Sequence, residues 1–297
     1  MVNEALSPVE YPEILKEVIY KKEGEIAYLP ILESLPLFHG FSWGPKSKNM
    51  SSAYARDESV KHVEARTVSF LKSLGMQSKN VINALGVFEG THPQIMEVSQ
   101  KDAKDQQETN VKANFIYTKD SNVTLSIRPG DCNVSIIYAK DGKGRDLVGL
   151  IHSSAYSTNM GLPRLAIRHL IEEEGVDPLS IVIGIIPGVS KEHYSLSQEA
   201  NVLKNPNLDK IIVERNWKNN IFPKNPLKGD DEPRPVDILG ATIMQFEEEG
   251  ISPQNIQAYG IDTYEAAARG EAFSKRHSDD TGKPQGRILV AVQLKPI

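Results

Sequence analysis

The clearest pattern in the chain is a pair of apolar runs separated by a polar turn. The runs cover residues 133–139 (NVSIIYA) and 146–151 (DLVGLI), and residues 141–144 (DGKG) lie between them. A short loop with Asp-Gly between two apolar runs is typical of a β-hairpin. The pattern predicts two antiparallel strands, with Cys132 at the start of the first and His152 at the end of the second.

Helical periodicity recurs in several other segments. Apolar residues repeat at three- and four-residue steps, as in Val63, Phe70 and Leu71, and Gly75 follows in the position where glycine often ends a helix. The predicted helices cover residues 58–74, 162–174 and 237–250, with shorter ones at 12–18 and 264–269.

Further apolar, β-branched runs predict strands at residues 25–31, 81–87, 123–127, 180–186, 254–260 and 287–294. Strands and helices alternate only in part, and hairpins are mixed in. This order favours a mixed α/β or α+β sandwich over a doubly wound parallel sheet. The pattern contains no internal repeat and no linker, so we expect one domain over residues 1–297, with residues 1–35 as an N-terminal extension.

The composition excludes some classes of function. The chain has 297 residues, of which 39% are hydrophobic and 25% charged, as in an ordinary globular protein. A net charge of −5 argues against general nucleic-acid binding. The longest apolar run, residues 181–189, is too short to span a membrane. The single cysteine excludes an internal disulfide, and the acidic start lacks a signal-peptide pattern, so we expect a cytoplasmic protein.

Candidate chemistry concentrates on Cys132 and His152. Each has an ordinary structural interpretation, because free cysteines are often small core residues and single histidines are often hydrogen-bonded in the fold. Together at one end of a hairpin, they indicate either metal ligands or a nucleophile with its base. His92, which also follows a predicted strand, is the best third ligand, although a surface turn histidine is the alternative.

A thiolate and two imidazoles favour zinc, because they leave one position of a tetrahedral site open for water. Copper would accept the same ligands, but one three-ligand site cannot reproduce the electron relay of a multicopper oxidase.

Polar residues near the C-terminus indicate a substrate site. Arg276 and Arg287 could clamp a phosphate or a carboxylate in bidentate fashion. Asp262 and Thr263 follow a predicted strand and could contact polar groups of a substrate. A solvated loop is the alternative for the basic cluster. Four other histidines are interpreted as structural or surface residues: His39, His62, His169 and His193.

Short motifs follow one another in a distinctive order over residues 37–297. They include residues 39–42 (HGFS), 130–132 (GDC), 152–156 (HSSAY), 183–189 (IGIIPGV), 273–276 (FSKR) and 286–287 (GR). This order resembles that of the YfiH-type proteins, a purine nucleoside phosphorylase family long labelled multicopper polyphenol oxidases or laccase-domain proteins. In that family the corresponding motifs are HGFS, ADC, HAGWRG, GPaIg, FSyRR and GR.

The resemblance implies an α/β/β/α sandwich related to the catalytic domain of cytotoxic necrotizing factor. It also implies zinc-dependent chemistry on purine nucleosides: phosphorolysis of adenosine, inosine or methylthioadenosine, and adenosine deamination. The partners would be a nucleoside and phosphate. The family's metal ligands correspond to His92, Cys132 and His152, the same three residues chosen from their chemistry. The motifs further imply a catalytic role for Asp131 and a substrate contact for Tyr156.

The chain departs from the family pattern at several positions. Tyr156-Ser157 stands where the family has Trp-Arg, the arginine after HGFS is absent, and Asp262 replaces a cysteine before Thr263. Two other interpretations stay open. One is a Cys–His hydrolase or deamidase with Cys132 as nucleophile and His152 as base. The other is a non-catalytic metal- or ligand-binding protein, which the missing arginines favour.

Overall fold

The computed structural model describes residues 12–22, 25–45, 48–54, 59–87, 93–103, 108–196 and 234–296. In these ranges the chain forms two seven-stranded sheets, a two-stranded ribbon and six α-helices. The strands are β1 (Glu13–Leu15), β2 (Tyr20–Lys22), β3 (Ile26–Ala27), β4 (Leu37–Ser42), β5 (Val81–Leu85), β6 (Ile95–Glu97), β7 (Glu108–Lys112), β8 (Phe115–Thr118), β9 (Thr124–Ile127), β10 (Asn133–Lys140), β11 (Asp146–Ser153), β12 (Val182–Ile185), β13 (Ser195–Leu196), β14 (Arg234–Pro235), β15 (Ile256–Tyr259) and β16 (Val290–Leu294). The helices are α1 (Val60–Ser73), α2 (Ala155–Asn159), α3 (Leu162–Glu174), α4 (Ile238–Glu248), α5 (Thr263–Ala268) and α6 (Lys275–Thr281).

Both large sheets mix parallel and antiparallel pairs, which confirms the predicted fold class. The first sheet has the order β1-β15-β12-β10-β11-β8-β6, and β15 runs parallel to both of its neighbours. The second has the order β2-β3-β4-β16-β9-β5-β7, and β5 runs parallel to both of its neighbours. The other contacts within the second sheet are antiparallel.

The predicted hairpin forms the centre of the first sheet. β10 and β11 pair antiparallel along their full length, from Asn133 opposite Ser153 to Lys140 opposite Asp146. In the turn, the Asp141 carboxylate accepts hydrogen bonds from the backbone of Lys143 and Arg145, each at 2.9 Å. Local turn chemistry therefore sets the register, and this register positions the residues just beyond the far end of the hairpin.

The main core lies between the two sheets. Val134, Ile136 and Leu150 of the hairpin pack there with Leu125 and Val292 of the second sheet. Side chains of a strand alternate between its faces, so these residues share the face that turns towards the second sheet.

Helices cover the two outer faces. Ile137 and Ile151 point from the hairpin towards Leu170 of α3 and Phe246 of α4. On the other side, α1 packs Phe70 and Leu71 against the second sheet. The layer order is α/β/β/α, as the resemblance implied.

One predicted element is wrong. Residues 12–18 were expected to form a helix, but the structure has strand β1, which pairs in parallel with β15 at the edge of the first sheet. Glu13 lies opposite Gln257, whose side-chain amide donates a hydrogen bond to the Glu13 carboxylate. Pairing with a strand 244 residues away outweighs local helical propensity here.

Removing the Leu170 side chain should destabilise the fold far more than removing an exposed leucine. Leu170 lies on the inner face of α3 and is completely buried, so Leu170→Ala is expected to lower the free energy of unfolding by about 2–5 kcal/mol. Leu179→Ala is the matched control, because that side chain is 67% exposed. Urea unfolding followed by circular dichroism measures both, and equal losses in the two variants would contradict the assigned core.

Candidate active site

Four strands of the first sheet meet at one edge, and the candidate site lies there. β10 begins at this edge, while β11, β12 and β15 end there, because Asn133 is opposite Ser153 and Ser135, Ile185 and Ala258 lie side by side. The segments just beyond these strand ends carry four of the predicted site residues: Asp131, Cys132, Asp262 and Thr263.

Cys132 and His152 lie at the same end of the hairpin, as the pattern predicted. His152 is opposite Val134 and is buried, and Cys132 directly precedes β10 and is half-buried. Burial, with a smaller contribution from the charge of Arg287, lowers the pKa of His152 to about 4. Burial also raises the pKa of the Cys132 thiol to about 12; Asp131 contributes to this rise, and Arg287 opposes it. At neutral pH the site therefore holds a protonated thiol, a neutral imidazole and a nearby guanidinium charge.

Asp131 holds three segments together. Its carboxylate accepts a hydrogen bond from the Thr263 hydroxyl at 2.9 Å and one from the backbone N–H of Arg276 at 2.7 Å. Its backbone carbonyl accepts a third from Val189 at 2.8 Å. The carboxylate thus anchors the start of β10 to the first turns of α5 and α6. The catalytic role predicted for Asp131 stays a prediction, and its observed contacts are those of a positioning residue.

Two guanidinium groups flank this region. Arg287 stacks on Tyr54, with its central carbon 3.8 Å from the ring centre, and donates a hydrogen bond to its neighbouring carbonyl at Gly286. Arg276 lies over the ring of Tyr194 at 4.9 Å. Within the ranges that the structure describes, neither arginine forms a salt bridge. Guanidinium groups of this kind can bind an anion in bidentate fashion.

Three tyrosines border the same site. Tyr156, Tyr194 and Tyr264 pack against a small apolar cluster that includes Val189 and Ile238. Burial, with a smaller contribution from Cys132, raises the pKa of Tyr194 to about 12. Aromatic rings around a polar centre are suited to holding a planar base. The sequence predicted only Tyr156 of this group.

His193 is a second residue that the sequence interpretation missed. Its Nδ1 lies 2.5 Å from Oδ2 of Asp262, and the Ser190 hydroxyl donates to the same oxygen at 2.6 Å. The backbone N–H of Tyr264 donates to Asp262 Oδ1 at 2.8 Å. Asp262 and Thr263 were predicted to contact substrate, which stays a prediction, and in the structure their polar atoms contact protein groups. The sequence signal that could have found His193 is its position. It follows strand β12, just as Asp262 follows strand β15.

The donor atoms at the strand ends fit a borderline metal. A thiol and an imidazole suit zinc or copper, and burial keeps His152 in the neutral form that can ligate. Metal binding would drive the proton off Cys132. His92, the third predicted ligand, lies outside the described residues. Among those residues, the group whose three ligand atoms lie within 4.8 Å of one another is a different one: His193, Asp262 and Glu265.

A cavity of about 120 Å³ adjoins the site, between Ser190, Asp237 and Tyr259. Pockets for drug-sized ligands enclose about 300–1,000 Å³, so this cavity suits water or a small ion better than a nucleoside.

Comparison with known proteins assigns the family. A family model described as "Multi-copper polyphenol oxidoreductase laccase" matches residues 38–295. The chain belongs to this family. Two solved structures have the same fold. YfiH from Bacillus licheniformis has a TM-score of 0.71 and is 17% identical, with 91% of this chain and 97% of that chain covered. YlmD from Geobacillus stearothermophilus has a TM-score of 0.70 and is 16% identical, with 96% of this chain and 100% of that chain covered. The resemblance seen in the motifs is confirmed, and the protein is a divergent YfiH-type member.

One relative carries the name of an activity. "Purine nucleoside phosphorylase LACC1" from Mus musculus is 29% identical over 143 residues, which are 48% of this chain and 29% of the mouse protein. The matched region is less than a third of that longer protein, so its activity is a proposal for this chain. The family description names copper, and zinc stays a prediction. No helix in the described ranges is long and apolar enough to cross a membrane. The cytoplasmic location stays a prediction.

Alkylation should reveal the state of the Cys132 thiol. In metal-free protein at pH 7 we expect iodoacetamide to modify Cys132 much more slowly than free cysteine, because the thiolate is the reactive form and burial raises the pKa to about 12. The rate should keep rising as the pH is increased from neutral, since the thiolate fraction is still growing there. Mass spectrometry of the labelled protein measures the rate. Labelling at least as fast as that of free cysteine would show an activated nucleophile and contradict the assignment.

Proposed function

We propose that this protein is a metal-dependent purine nucleoside phosphorylase, which releases a purine base from its nucleoside with phosphate as the second substrate. The observation that supports this best is the position of Arg287, whose neighbour Ile288 donates a backbone hydrogen bond to the Pro129 carbonyl at 3.1 Å, in the turn that precedes Cys132. A cation beside a candidate metal pair provides a place where a phosphate oxyanion can approach the reacting sugar. The family match and the name of the mouse relative favour the same reaction.

Arg287 is the proposed phosphate ligand. Stacking on Tyr54 fixes the plane of its guanidinium, and one of its N–H groups is used by Gly286. The remaining N–H groups can bind an anion in bidentate fashion. Arg276 is held against Tyr194 and the carbonyl of Ser195, and it adds a second positive charge at the same edge of the sheet.

The tyrosines are the proposed contacts of the purine. Tyr156, Tyr194 and Tyr264 pack against one apolar cluster, and Arg276 lies over the ring of Tyr194. Stacking on aromatic rings would orient the base, while the ribose lies towards the arginines. With the nucleoside bound in this way, the bond to be broken would lie between the tyrosines and the arginines.

Cys132, His152 and the predicted His92 would hold the metal. A bound zinc ion would supply Lewis acidity and a lowered pKa for coordinated water. The chain's own contribution is to present a neutral imidazole and a shielded thiol at the strand ends, and to exclude bulk water from them by burial.

The Cys–His hydrolase alternative is less consistent with the structure. Catalytic cysteines are activated by a lowered pKa, whereas burial and Asp131 raise the pKa of Cys132 to about 12. A thiol in this environment is better suited to a metal than to attack on a carbonyl carbon.

Phosphate dependence is the direct test of the function. The wild-type protein should release the base from adenosine, inosine or methylthioadenosine only when phosphate is present, with chromatography of the products as the measurement. Arg287→Gln removes a charge-assisted contact of about 1.5–3 kcal/mol, so the KM for phosphate should rise about 10- to 100-fold. Lys143→Ala, in the turn at the opposite end of the hairpin, is the control.

Three outcomes would contradict the proposal. Base release at the same rate without phosphate would indicate hydrolysis. Conversion of adenosine to inosine alone would indicate deamination. No reaction with any nucleoside would favour the binding-protein alternative.

Metal content tests the proposed ligands separately. We expect about one equivalent of zinc per chain by elemental analysis, and Cys132→Ser or His152→Gln should lose most of it, because each variant removes one of three ligands. Lys143→Ala should retain the metal. Full metal content in Cys132→Ser would show that the ion is held elsewhere, for instance by the group around His193.

A further inference from the structure

His193 and Asp262 form a hydrogen-bonded dyad with a defined proton arrangement. The Asp262 carboxylate already accepts bonds from Ser190 and from the backbone of Tyr264, so it is an acceptor on the His193 side as well. The imidazole must therefore carry a proton on Nδ1, which leaves Nε2 on the opposite side of the ring for another partner. This is the arrangement by which a carboxylate orients a catalytic imidazole.

The ring is fixed but accessible. The His193 ring stacks parallel to that of Tyr264, with 4.4 Å between ring centres and 5° between planes. On the Tyr264 ring, His277 makes a T-shaped contact at 5.2 Å. The His193 side chain is 32% exposed, whereas that of Asp262 is only 8% exposed. The buried carboxylate thus holds a partly exposed imidazole that a bound molecule can reach.

Both members of the dyad adjoin the candidate site along the chain. Thr263, next to Asp262, donates to the Asp131 carboxylate that precedes Cys132. Tyr194, next to His193, has its ring covered by the guanidinium of Arg276, whose backbone N–H donates to the same Asp131 carboxylate. The dyad is therefore within the same cluster of strand ends as the thiol and the arginine.

A cation between these residues would need a different geometry. Metal–ligand bonds of about 2.0–2.2 Å keep two ligand atoms of one ion roughly 3 Å apart or more. Nδ1 of His193 and Oδ2 of Asp262 are 2.5 Å apart, which is a hydrogen-bond distance, and Ser190 occupies the same oxygen. Glu265 is largely exposed and pairs with Arg269 at 3.8 Å. The contacts favour proton transfer over metal binding.

We propose that His193 is the general acid that protonates the departing purine, and that Asp262 is the residue that positions it. This inference rests on the phosphorolysis proposed above. In that reaction a phosphate oxygen forms a bond to the sugar C1′ as the C1′–N9 bond breaks, and the bonding electron pair leaves with the purine. The protonated imidazole gives its Nε2 proton to a purine nitrogen, and hydrogen phosphate supplies the replacement proton. The products are a sugar 1-phosphate and a neutral purine.

The leaving group provides a sharp test. His193→Asn keeps an N–H donor for Asp262 but removes Nε2. With inosine and phosphate, kcat should fall about 10²–10⁴-fold, the usual contribution of general acid catalysis, while the KM for phosphate stays the same. With 7-methylinosine, whose base already carries a positive charge and leaves neutral without a proton, His193→Asn should retain nearly the wild-type kcat.

Two further variants separate positioning from structure. Asp262→Asn should abolish the downfield Nδ1–H proton resonance of His193 in NMR spectra and lower kcat for inosine, again with rescue by 7-methylinosine. Glu265 is the third residue of the group with His193 and Asp262, and Glu265→Gln should leave kcat for both substrates unchanged. Circular dichroism and thermal unfolding check that each variant is folded.

The outcomes distinguish this inference from the function on which it rests. Wild-type activity with an unaffected His193→Asn variant would overturn the role of His193 alone. Equal losses with inosine and 7-methylinosine would likewise overturn it, because a damaged site affects both substrates. A wild-type protein that releases no base from either nucleoside would overturn the proposed function, and the inference with it.

Discussion

The candidate site depends on one carboxylate. Asp131 stands immediately before the central hairpin and binds the Thr263 hydroxyl and the Arg276 backbone, which belong to the first turns of two short helices. Helix N-termini favour a negative charge because their backbone N–H groups lack partners within the helix. This single interaction brings together the segments that carry Cys132, Asp262 and Arg276. The backbone bonds from Val189 to Asp131 and from Thr263 to Gly188 connect some of the same segments, and the carboxylate adds the link to α6.

Burial then decides the charge state of the groups so assembled. The half-buried thiol and the buried imidazole both stay neutral at physiological pH, because burial disfavours the charged form of each. The positive charge of Arg287 acts on both groups in the same direction, lowering the pKa of each. The consequence is an uncharged pair of potential ligands beside the Arg287 cation. Such an environment can accept an anion, or a metal ion that displaces the thiol proton.

The departures from the family pattern have a physical counterpart in the structure. Asp262 stands where the family motif has a cysteine, and here it accepts hydrogen bonds from Ser190, His193 and Tyr264. A buried carboxylate at this position needs several hydrogen-bond donors. Residues 190–193 and the backbone of Tyr264 provide them. A buried carboxylate is compatible with the fold here because Ser190, His193 and the backbone of Tyr264 all bond to it.

Much of the fold was determined by the sequence itself. The hairpin was predicted because its turn chemistry and paired apolar runs are local, and helix α3 was predicted with its observed bounds because its apolar stripe repeats within 13 residues. The sequence also placed Cys132 and His152 together, because the turn fixes the strand register and the register determines which residues are opposite each other at the far end of the hairpin. Motifs in the right order were enough to identify the family.

Only the tertiary structure decided the rest, because it depends on contacts between residues far apart in the chain. Strand β1 replaces a predicted helix through pairing with β15, and the bond from Thr263 to Asp131 spans 132 residues. His193 meets Asp262 across 69 residues, and no local pattern marks either residue as the other's partner. Pairings of this kind follow from the order of strands in a sheet, which the periodicity of a single segment does not contain.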